Sequence, residues 1–413
     1  MKAASESTSK ASSGLPAVSI IINNHNYGQF LGSAIESALN QTYANCEVIV
    51  VDDGSTDNSR QVIESFGSRV HSIVKTNGGQ ASALNVGFER SKGALVLFLD
   101  SDDQLDAGAV ECVVGAFEPG VGKIQFSLGF MSEDGGFLPQ AYPDPAGPLP
   151  NGDFSRSILE RGVQNTPPTS GNAFSRSVLE QIMPIPEADW KIGADAYLLV
   201  VSPLFGRIVS IPRVLGRYRM RGRLPRHALA EGAPGVPHAA WGADAVLRVL
   251  EYEERKLAAL RSVASRRGET VSDDWPLGNR SYVDCRIYML LHHAGQHPFK
   301  GDSRIGLAYH GVSAACRLRR PGLPWLARVL GYYAVLGMAP APWARLLTQW
   351  RILPWTRPGS AREAIRDLVR SSLRSAVPPA SPPVEDLRGQ HREVAADQDV
   401  ESPSCSDGRT PKD

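Results

Sequence analysis

From Ala17 onward the chain alternates short β-branched runs with amphipathic stretches of helical period. Val18 to Ile22 is a continuous apolar run and predicts a strand buried on both faces. Between Gln29 and Thr42, Leu31, Ile35 and Leu39 recur every four residues with Ala34 and Ala38 beside them, which predicts a helix that buries one stripe. Glu47 to Val51, Val70 to Val74 and Ala94 to Leu99 predict three further strands. Two helices fall between them. One carries Val62, Ile63 and Phe66 behind a cap at Thr56, Asp57 or Asn58, and the other runs from Gly78-Gly79 to Arg90 with Ala81, Leu84 and Phe88 inward. Strands that lack polar alternation and are separated by helices predict a doubly wound, mostly parallel α/β sheet covered on both faces.

Residues 119–170 are rich in Pro and Gly and read as long connections, with a strand at Ile124 to Phe130 and a helix at Ser155 to Arg161. After Pro225 the pattern turns helical, over Ala239 to Arg267, Tyr282 to Gly295 and Ile305 to Arg317. From Ser375 on, Pro, Ser and charge predict disorder. Met1 to Gly14 lacks the apolar core of a secretion signal and reads as flexible. The expected division is a leader at 1–16, an α/β domain at 17–225, a helical, basic C-terminal region at 226–374 and a disordered tail at 375–413.

Composition excludes several classes. The 413 residues are 42% hydrophobic and 21% charged, which excludes disordered, collagenous and membrane-embedded chains. A net charge of +1 conceals an acidic front, 12 Lys/Arg against 23 Asp/Glu in residues 1–206, and a basic back, 28 against 12 in residues 207–374. The basic part suits phosphates, anionic lipid or nucleic acid. No stretch reaches the length of a membrane span, and the uncharged run from Val329 to Ala344 is broken by Pro340 and Pro342. Five scattered cysteines with no Cys-x-x-Cys pair signal neither a disulfide framework nor a zinc knuckle, and fit a reducing compartment.

In doubly wound sheets ligands lie beyond the carboxyl ends of the strands. Those ends are Asn23 to Tyr27, Asp52 to Ser55, Thr76 to Gln80 and Asp100 to Asp103. Asp100, Asp102 and Asp103 repel one another unless a cation sits among them, and oxygen-only ligands suit Mg²⁺ or Mn²⁺. Taken alone, the cluster also reads as a solvated loop capping a helix that begins near Ala107. Asp52-Asp53-Gly54-Ser55 repeats the acidic arrangement one strand earlier, so two acidic turns are expected to meet at one crevice.

Six segments in order, Ser19 to Tyr27, Glu36 to Tyr43, Glu47 to Ser59, Asn77 to Gln80, Ala83 to Gly87 and Phe98 to Asp103, closely resemble glycosyltransferase family 2. The resemblance covers about residues 17 to 220. It implies a GT-A fold and an inverting transfer of a sugar from a nucleotide-diphosphate donor, UDP-linked, to a hydroxyl of a glycan or lipid-linked acceptor in surface polysaccharide synthesis. It implies that Asp52 or Asp53 contacts the base, that Asp100 lies near the ribose, and that Asp102 binds the metal, Mn²⁺ or Mg²⁺. Asn23, Asn24 and Tyr27 belong to the nucleotide pocket, with Gly54, Gly79 and Gln80 at the neighbouring strand ends. The segment Ile192 to Leu198 resembles the one in which the family places its general base, which makes Asp195 the base; an Asp before an apolar run is also a common helix N-cap. Gly171, in Thr169-Ser170-Gly171-Asn172, is expected to let a sugar approach the backbone.

One departure from the family stands out. Tyr218-Arg219-Met220-Arg221-Gly222 replaces the usual Tyr-Arg-x-His-Gly, so Arg221 can pair with phosphate but cannot ligate a cation, leaving weaker metal dependence or substitution by His227 as expectations. The cluster Arg213, Arg217, Arg219, Arg221, Arg223 and Arg226 reads either as a diphosphate or phospholipid clamp or as a solvated linker. His292, His293 and His297 lack a carboxylate or Cys partner in sequence, and read as a surface helix end. The Trp- and Arg-bearing segment from Trp325 to Trp355 suits either an anionic membrane surface or packing on the catalytic domain. The expected location is the cytoplasm, peripheral on the inner face of the membrane, with no nucleic-acid partner. Two rival classes are a sugar-phosphate nucleotidyltransferase, for which Asn23 to Tyr27 lacks the Gly-rich phosphate loop, and a non-catalytic sugar-nucleotide-binding protein.

Overall fold

The structure, a computed structural model, describes residues 15–147, 149–162, 166–220, 243–317 and 323–350. The expected leader and tail therefore lie outside the described residues, except for residues 15 and 16, as do Arg221, Arg223, Arg226 and His227.

The N-terminal part of the sheet follows the sequence pattern closely. Strand β1 (Val18–Asn24), helix α1 (Gly28–Leu39), β2 (Cys46–Asp53), α2 (Ser59–Ser65), β3 (His71–Lys75), α3 (Gln80–Arg90) and β4 (Leu95–Asp100) alternate along the chain. β1 pairs in parallel with both β2 and β4, and β2 with β3. The continuous apolar runs are explained by burial on both faces. Val18, Ile20 and Ile22 pack with Leu31 and Ile35 of α1 on one side, while Ile21, Ile49, Val51, Val96 and Phe98 pack with Ala81 and Leu84 of α3 on the other. Each such side chain contributes roughly 1.5–3 kcal/mol by leaving water.

The second half departs from the pattern. Short β5 (Gln104–Leu105), α4 (Ala109–Gly115), β6 (Val121–Met131), β7 (Phe137–Tyr142), α5 (Ser155–Arg161), β8 (Asn172–Ser175), α6 (Arg176–Ile182), α7 (Asp195–Val201) and β9 (Arg207–Arg219) follow in order. The sheet order is β3-β2-β1-β4-β8-β6-β9-β5, with β7 on β6. β8 runs antiparallel to β4 and β6, and β9 parallel to β6. The sheet is thus parallel through β1 to β4 and mixed beyond. Residues 119–170, expected to be mainly connections, contain the β6–β7 hairpin, and β9 was not expected at all. Pro212 and five polar or charged residues interrupt the apolar pattern of β9, which hides a strand from a periodicity reading.

Five helices complete the described chain: α8 (Ala243–Arg266), α9 (Arg280–His292), α10 (Arg304–Arg317), α11 (Leu323–Met338) and α12 (Ala341–Trp350). Leu257, Leu260, Val263 and Ala264 of α8 enter the same apolar core as Trp190, Tyr197 and Phe174, so α8 is packed into the α/β unit. Helices α9 to α12 share a core of their own around Ile287, Leu307, Val329, Tyr333 and Leu336. The run from Val329 to Ala344 is split between α11 and α12 at Pro340. Among the described residues no helix is long and apolar enough to cross a membrane.

Candidate active site

Two acidic turns stand at the ends of β2 and β4, on either side of β1, but they are built differently. At the end of β2, Asp52 is fully buried and Asp53 is 2% exposed. The Asp52 carboxylate accepts from the Asn24 Nδ2 at 2.9 Å and from both the backbone N–H and the hydroxyl of Ser55. Asp53 accepts from the Lys75 ammonium at 2.5 Å and from the backbone N–H groups of Gly78 and Gly79 at 2.9 and 2.7 Å. These bonds draw the β3–α3 loop over β2. Gly54, at φ +72°, sits where a Cβ would come within 2.7 Å of the Asn77 nitrogen, so glycine is required by that approach. Asn24 faces inward as a support of Asp52, while Asn26, at φ +57°, accepts from the Thr56 backbone N–H and holds the turn from the other side. Tyr27 is half-buried at the N-terminus of α1, its ring 6.2 Å from Phe30.

At the end of β4 three carboxylates crowd one another. Asp103, 1% exposed, is fixed by the Ser170 hydroxyl at 2.6 Å and the Arg219 backbone N–H at 2.9 Å. Burial, with the charges of Asp102 and Asp100, pushes its carboxyl well above the usual range. Asp100 is half-buried beside Asn23, which is its register partner across β1 and hydrogen-bonds its carboxylate. Burial, then the charges of Asp102 and Asp195, push the Asp100 carboxyl up to about 7. Asp102 is half-buried, and its own carbonyl accepts from the Arg219 Nε at 2.9 Å.

Asp195 arrives from the other side of the sequence. It is the first residue of α7 and so is not the cap, a place taken by Ala194. Its carboxyl is raised by burial, against hydrogen bonds from Thr169 and the Ala196 backbone and the nearby charge of Lys256 on α8. The Thr169 hydroxyl is within hydrogen-bonding reach of both Asp100 and Asp195. The structure therefore brings Asp100 and Asp195 to one place although 95 positions separate them.

Residues 19–182 match the family model described as glycosyl transferase family 2. The chain carries a family 2 glycosyltransferase domain. An uncharacterized glycosyltransferase of Nostoc sp. (strain PCC 7120) is 36% identical over 211 residues, 50% of this chain and 65% of that protein. A chondroitin synthase of Pasteurella multocida is 42% identical over 106 residues, 25% of this chain and 11% of that protein. The chain thus spans less than two thirds of the length of each of these relatives. Among solved structures, S. aureus TarS 1–349 superposes with a TM-score of 0.46 at 16% identity, over 81% of this chain and 91% of that one. The doubly wound strands of the family 2 domain, continued by a mixed half, give the GT-A type of α/β fold that the resemblance implied.

Several expected ligand contacts in the family 2 domain have other partners. The space a Cβ of Gly171 would take holds Pro167 at 2.6 Å and the Phe126 carbonyl at 2.9 Å, so the glycine makes room for packing and not for a sugar. Gln80 is spent on the loop before Asp195 and on Asp100. Gly79, at φ +90°, would with any Cβ meet the Lys191 backbone at 2.8 Å. Of the arginine cluster, Arg217 pairs with Asp106 at 3.2 Å and Arg219 bonds the carbonyls of Asp102, Ser132 and Glu133 while stacking 4.7 Å over Phe30. Arg219 thus braces the acidic turn and is not a diphosphate clamp. His292 bonds Thr348, and His297, nearly buried, bonds the Asp302 carboxylate, so the expected surface helix end is instead a packed one.

Among the described residues no three His, Cys, Asp or Glu side chains are grouped so as to hold a metal. The donor set still fits a hard cation. Mg²⁺ and Mn²⁺ are commonly held by one or two carboxylates plus substrate phosphates, and Asp100 and Asp102, whose charges repel each other, would supply such oxygens at the end of β4. Sequence reasoning missed Thr169, Ser170 and Arg219 as organisers of this turn, because they bond to Asp100 and Asp103 across 67 to 116 positions and carry no local spacing signal.

Proposed function

We propose that the chain is an inverting glycosyltransferase that moves a sugar from a UDP-linked donor to a hydroxyl of a glycan or glycolipid acceptor. The carrying observation is the meeting of Asp100, Asp102 and Asp195 at one place, where the charges of Asp102 and Asp195 add to burial in raising the Asp100 carboxyl. On this reading Asn23, Asn24, Tyr27, Asp52, Asp53 and Gly54 shape the nucleotide pocket, and Asp100 lies near the ribose. Asp102 holds the divalent ion, which when bound offsets charge on the diphosphate leaving group. On this reading Arg221, which lies outside the described residues, adds positive charge for the diphosphate.

Asp195 accepts the acceptor proton as the hydroxyl oxygen forms its bond to the anomeric carbon. The bond from that carbon to the diphosphate oxygen breaks, its electron pair leaves with UDP, and attack from the opposite face inverts the centre. Burial raises the Asp195 carboxyl toward working pH, which makes it a stronger base than an exposed aspartate. Thr169 aligns it with Asp100.

The test is incubation of the whole chain with a panel of UDP-sugars and Mn²⁺, reading UDP release and the anomeric configuration of the product. Inverted product supports the reading. Tight nucleotide-sugar binding with no release or transfer would leave a non-catalytic binding protein in its place.

A role in surface polysaccharide synthesis is supported by the likeness to a chondroitin synthase. We take residues 17–225, with α8 packed against them, as the catalytic unit, at the cytoplasmic face of the membrane. The support for an anionic membrane surface is the exposed apolar face of Leu330, Val335 and Met338 on α11 with Trp343 on α12, within the basic half of the chain. Co-sedimentation with phosphatidylglycerol vesicles, lost in Met338→Glu with Trp343→Glu, checks it.

A further inference from the structure

Helix α3 grips the loop that precedes Asp195 at two levels. Near its C-terminal half, the Asn85 Oδ1 accepts from the Ile185 backbone N–H at 2.8 Å and its Nδ2 donates to the Ile185 carbonyl at 2.9 Å, in the manner of a strand pair. At its N-terminus, the backbone N–H groups of Gln80 and Ala81 donate to the carbonyls of Lys191 and Trp190 at 2.9 and 3.2 Å. The Gln80 side chain then continues past the loop. Its Oε1 accepts from the backbone N–H groups of both Gly193 and Ala194 at 2.9 Å, and its Nε2 points to Asp100 Oδ1 at 3.4 Å.

Helix α7 has no side-chain cap of its own, since Ala194 occupies the capping place. From another helix, Gln80 instead caps the loop just ahead of α7, at the backbone N–H groups of Gly193 and Ala194. Its amide has one workable orientation. Reversed, the NH₂ would face two N–H donors and the oxygen would face a carboxylate. A glutamate could accept from the loop but would set a charge against Asp100, and an asparagine would be one methylene short of spanning both.

We propose that Gln80 is the positioning residue that fixes the distance and angle between Asp195 and the donor-side Asp100. The inference rests on the reading of Asp195 as base, and it removes Gln80 from the set of groups that hold the nucleotide sugar. It also gives the glycine before it a reason, because only a residue without Cβ lets α3 start this close to Lys191.

The test compares wild type with Gln80→Ala and Gln80→Glu in three measurements on the full chain. Backbone hydrogen exchange over residues 186–197 should quicken by about ten-fold in Gln80→Ala, because two donors lose their acceptor. UDP affinity with Mn²⁺ should stay within about three-fold of wild type. UDP release from UDP-glucose and UDP-N-acetylglucosamine, with water standing in for the acceptor, should fall about 100-fold in kcat for whichever donor wild type hydrolyses, the usual cost of a misplaced catalytic group. In Gln80→Glu exchange should stay near wild type while kcat falls, since the cap survives and the link to Asp100 does not.

Loss of UDP affinity in proportion to the loss of rate in Gln80→Ala would overturn the proposal and make Gln80 a donor ligand. Unchanged exchange would overturn it as well. If Gln80→Ala does not fold, Gln80→Glu decides alone, and unchanged kcat there refutes the link. A wild type that neither binds UDP nor releases it from either sugar defeats the proposed transferase reading instead, and the exchange measurement still decides the cap.

Discussion

The turn after β2 and the turn after β4 carry similar sequences, Asp52-Asp53-Gly54-Ser55 and Asp100-Ser101-Asp102-Asp103, one strand apart in the sheet. At the first, both carboxylates are matched by lysine, asparagine, hydroxyl and backbone donors, so their charge is used up in building the loop. At the second, Asp103 is held by Ser170 and the Arg219 backbone and Asp100 by Asn23 and Thr169, yet the three carboxylates still raise one another. Equal acidity thus stands in two settings, and the balance of donors against neighbouring carboxylates tells them apart.

The largest effect expected from this contrast is at Asp195. Asp195→Asn should lower transfer by about 10³-fold while UDP binding with Mn²⁺ persists, as seen by calorimetry beside a turnover assay. Asp102→Asn should lower transfer by about 100-fold and abolish the dependence of UDP affinity on Mn²⁺, and an unchanged titration would refute the metal role. Asp53→Asn should behave in the opposite way. It should destabilise the fold by about 2 kcal/mol, read in denaturant, because Lys75 and two backbone donors lose a charged acceptor, yet leave the Mn²⁺ dependence intact.

Lys123 carries the contrast to its limit. It is 1% exposed on β6, its ammonium bonded to the Thr166 hydroxyl at 2.9 Å, and burial lowers its pKa to about 7. The unfolded chain holds this proton up to near the ordinary lysine value, so between pH 7 and about 10 the unfolded state binds more protons and stability rises with pH. Below pH 7 both states are protonated and the dependence levels off. Lys123→Met should raise Tm by a few degrees at pH 7 and flatten the rise in Tm between pH 7 and 9.

The first four strands and three helices were legible because β1, β2 and β4 bury both faces in apolar runs, and the exposed β3 still carries the β-branched Ile73 and Val74. β7 and β9 were not, since β7 is largely exposed and β9 mixes buried and exposed positions around Pro212. Asp100, Asp102 and Asp195 were visible as residues, but their surroundings were not. Nothing within a few positions of Asp100 foretells Thr169, and nothing near Gly79 foretells Lys191. The same limit hid the inward turn of Asn24, Gln80 and Gly171, whose chemistry suits a ligand as well as it suits a neighbouring loop.

Asp103 ties Ser170 and Arg219 to the β4 turn, and Arg219 in turn clasps the carbonyl of Asp102. During synthesis the parallel strands β1 to β4 are complete once residue 100 has left the ribosome, yet Asp103 then has neither of its donors. The acidic turn must wait for more than a hundred further residues before it can set. A nascent chain cut short of residue 219 would own a sheet but not a settled β4 turn.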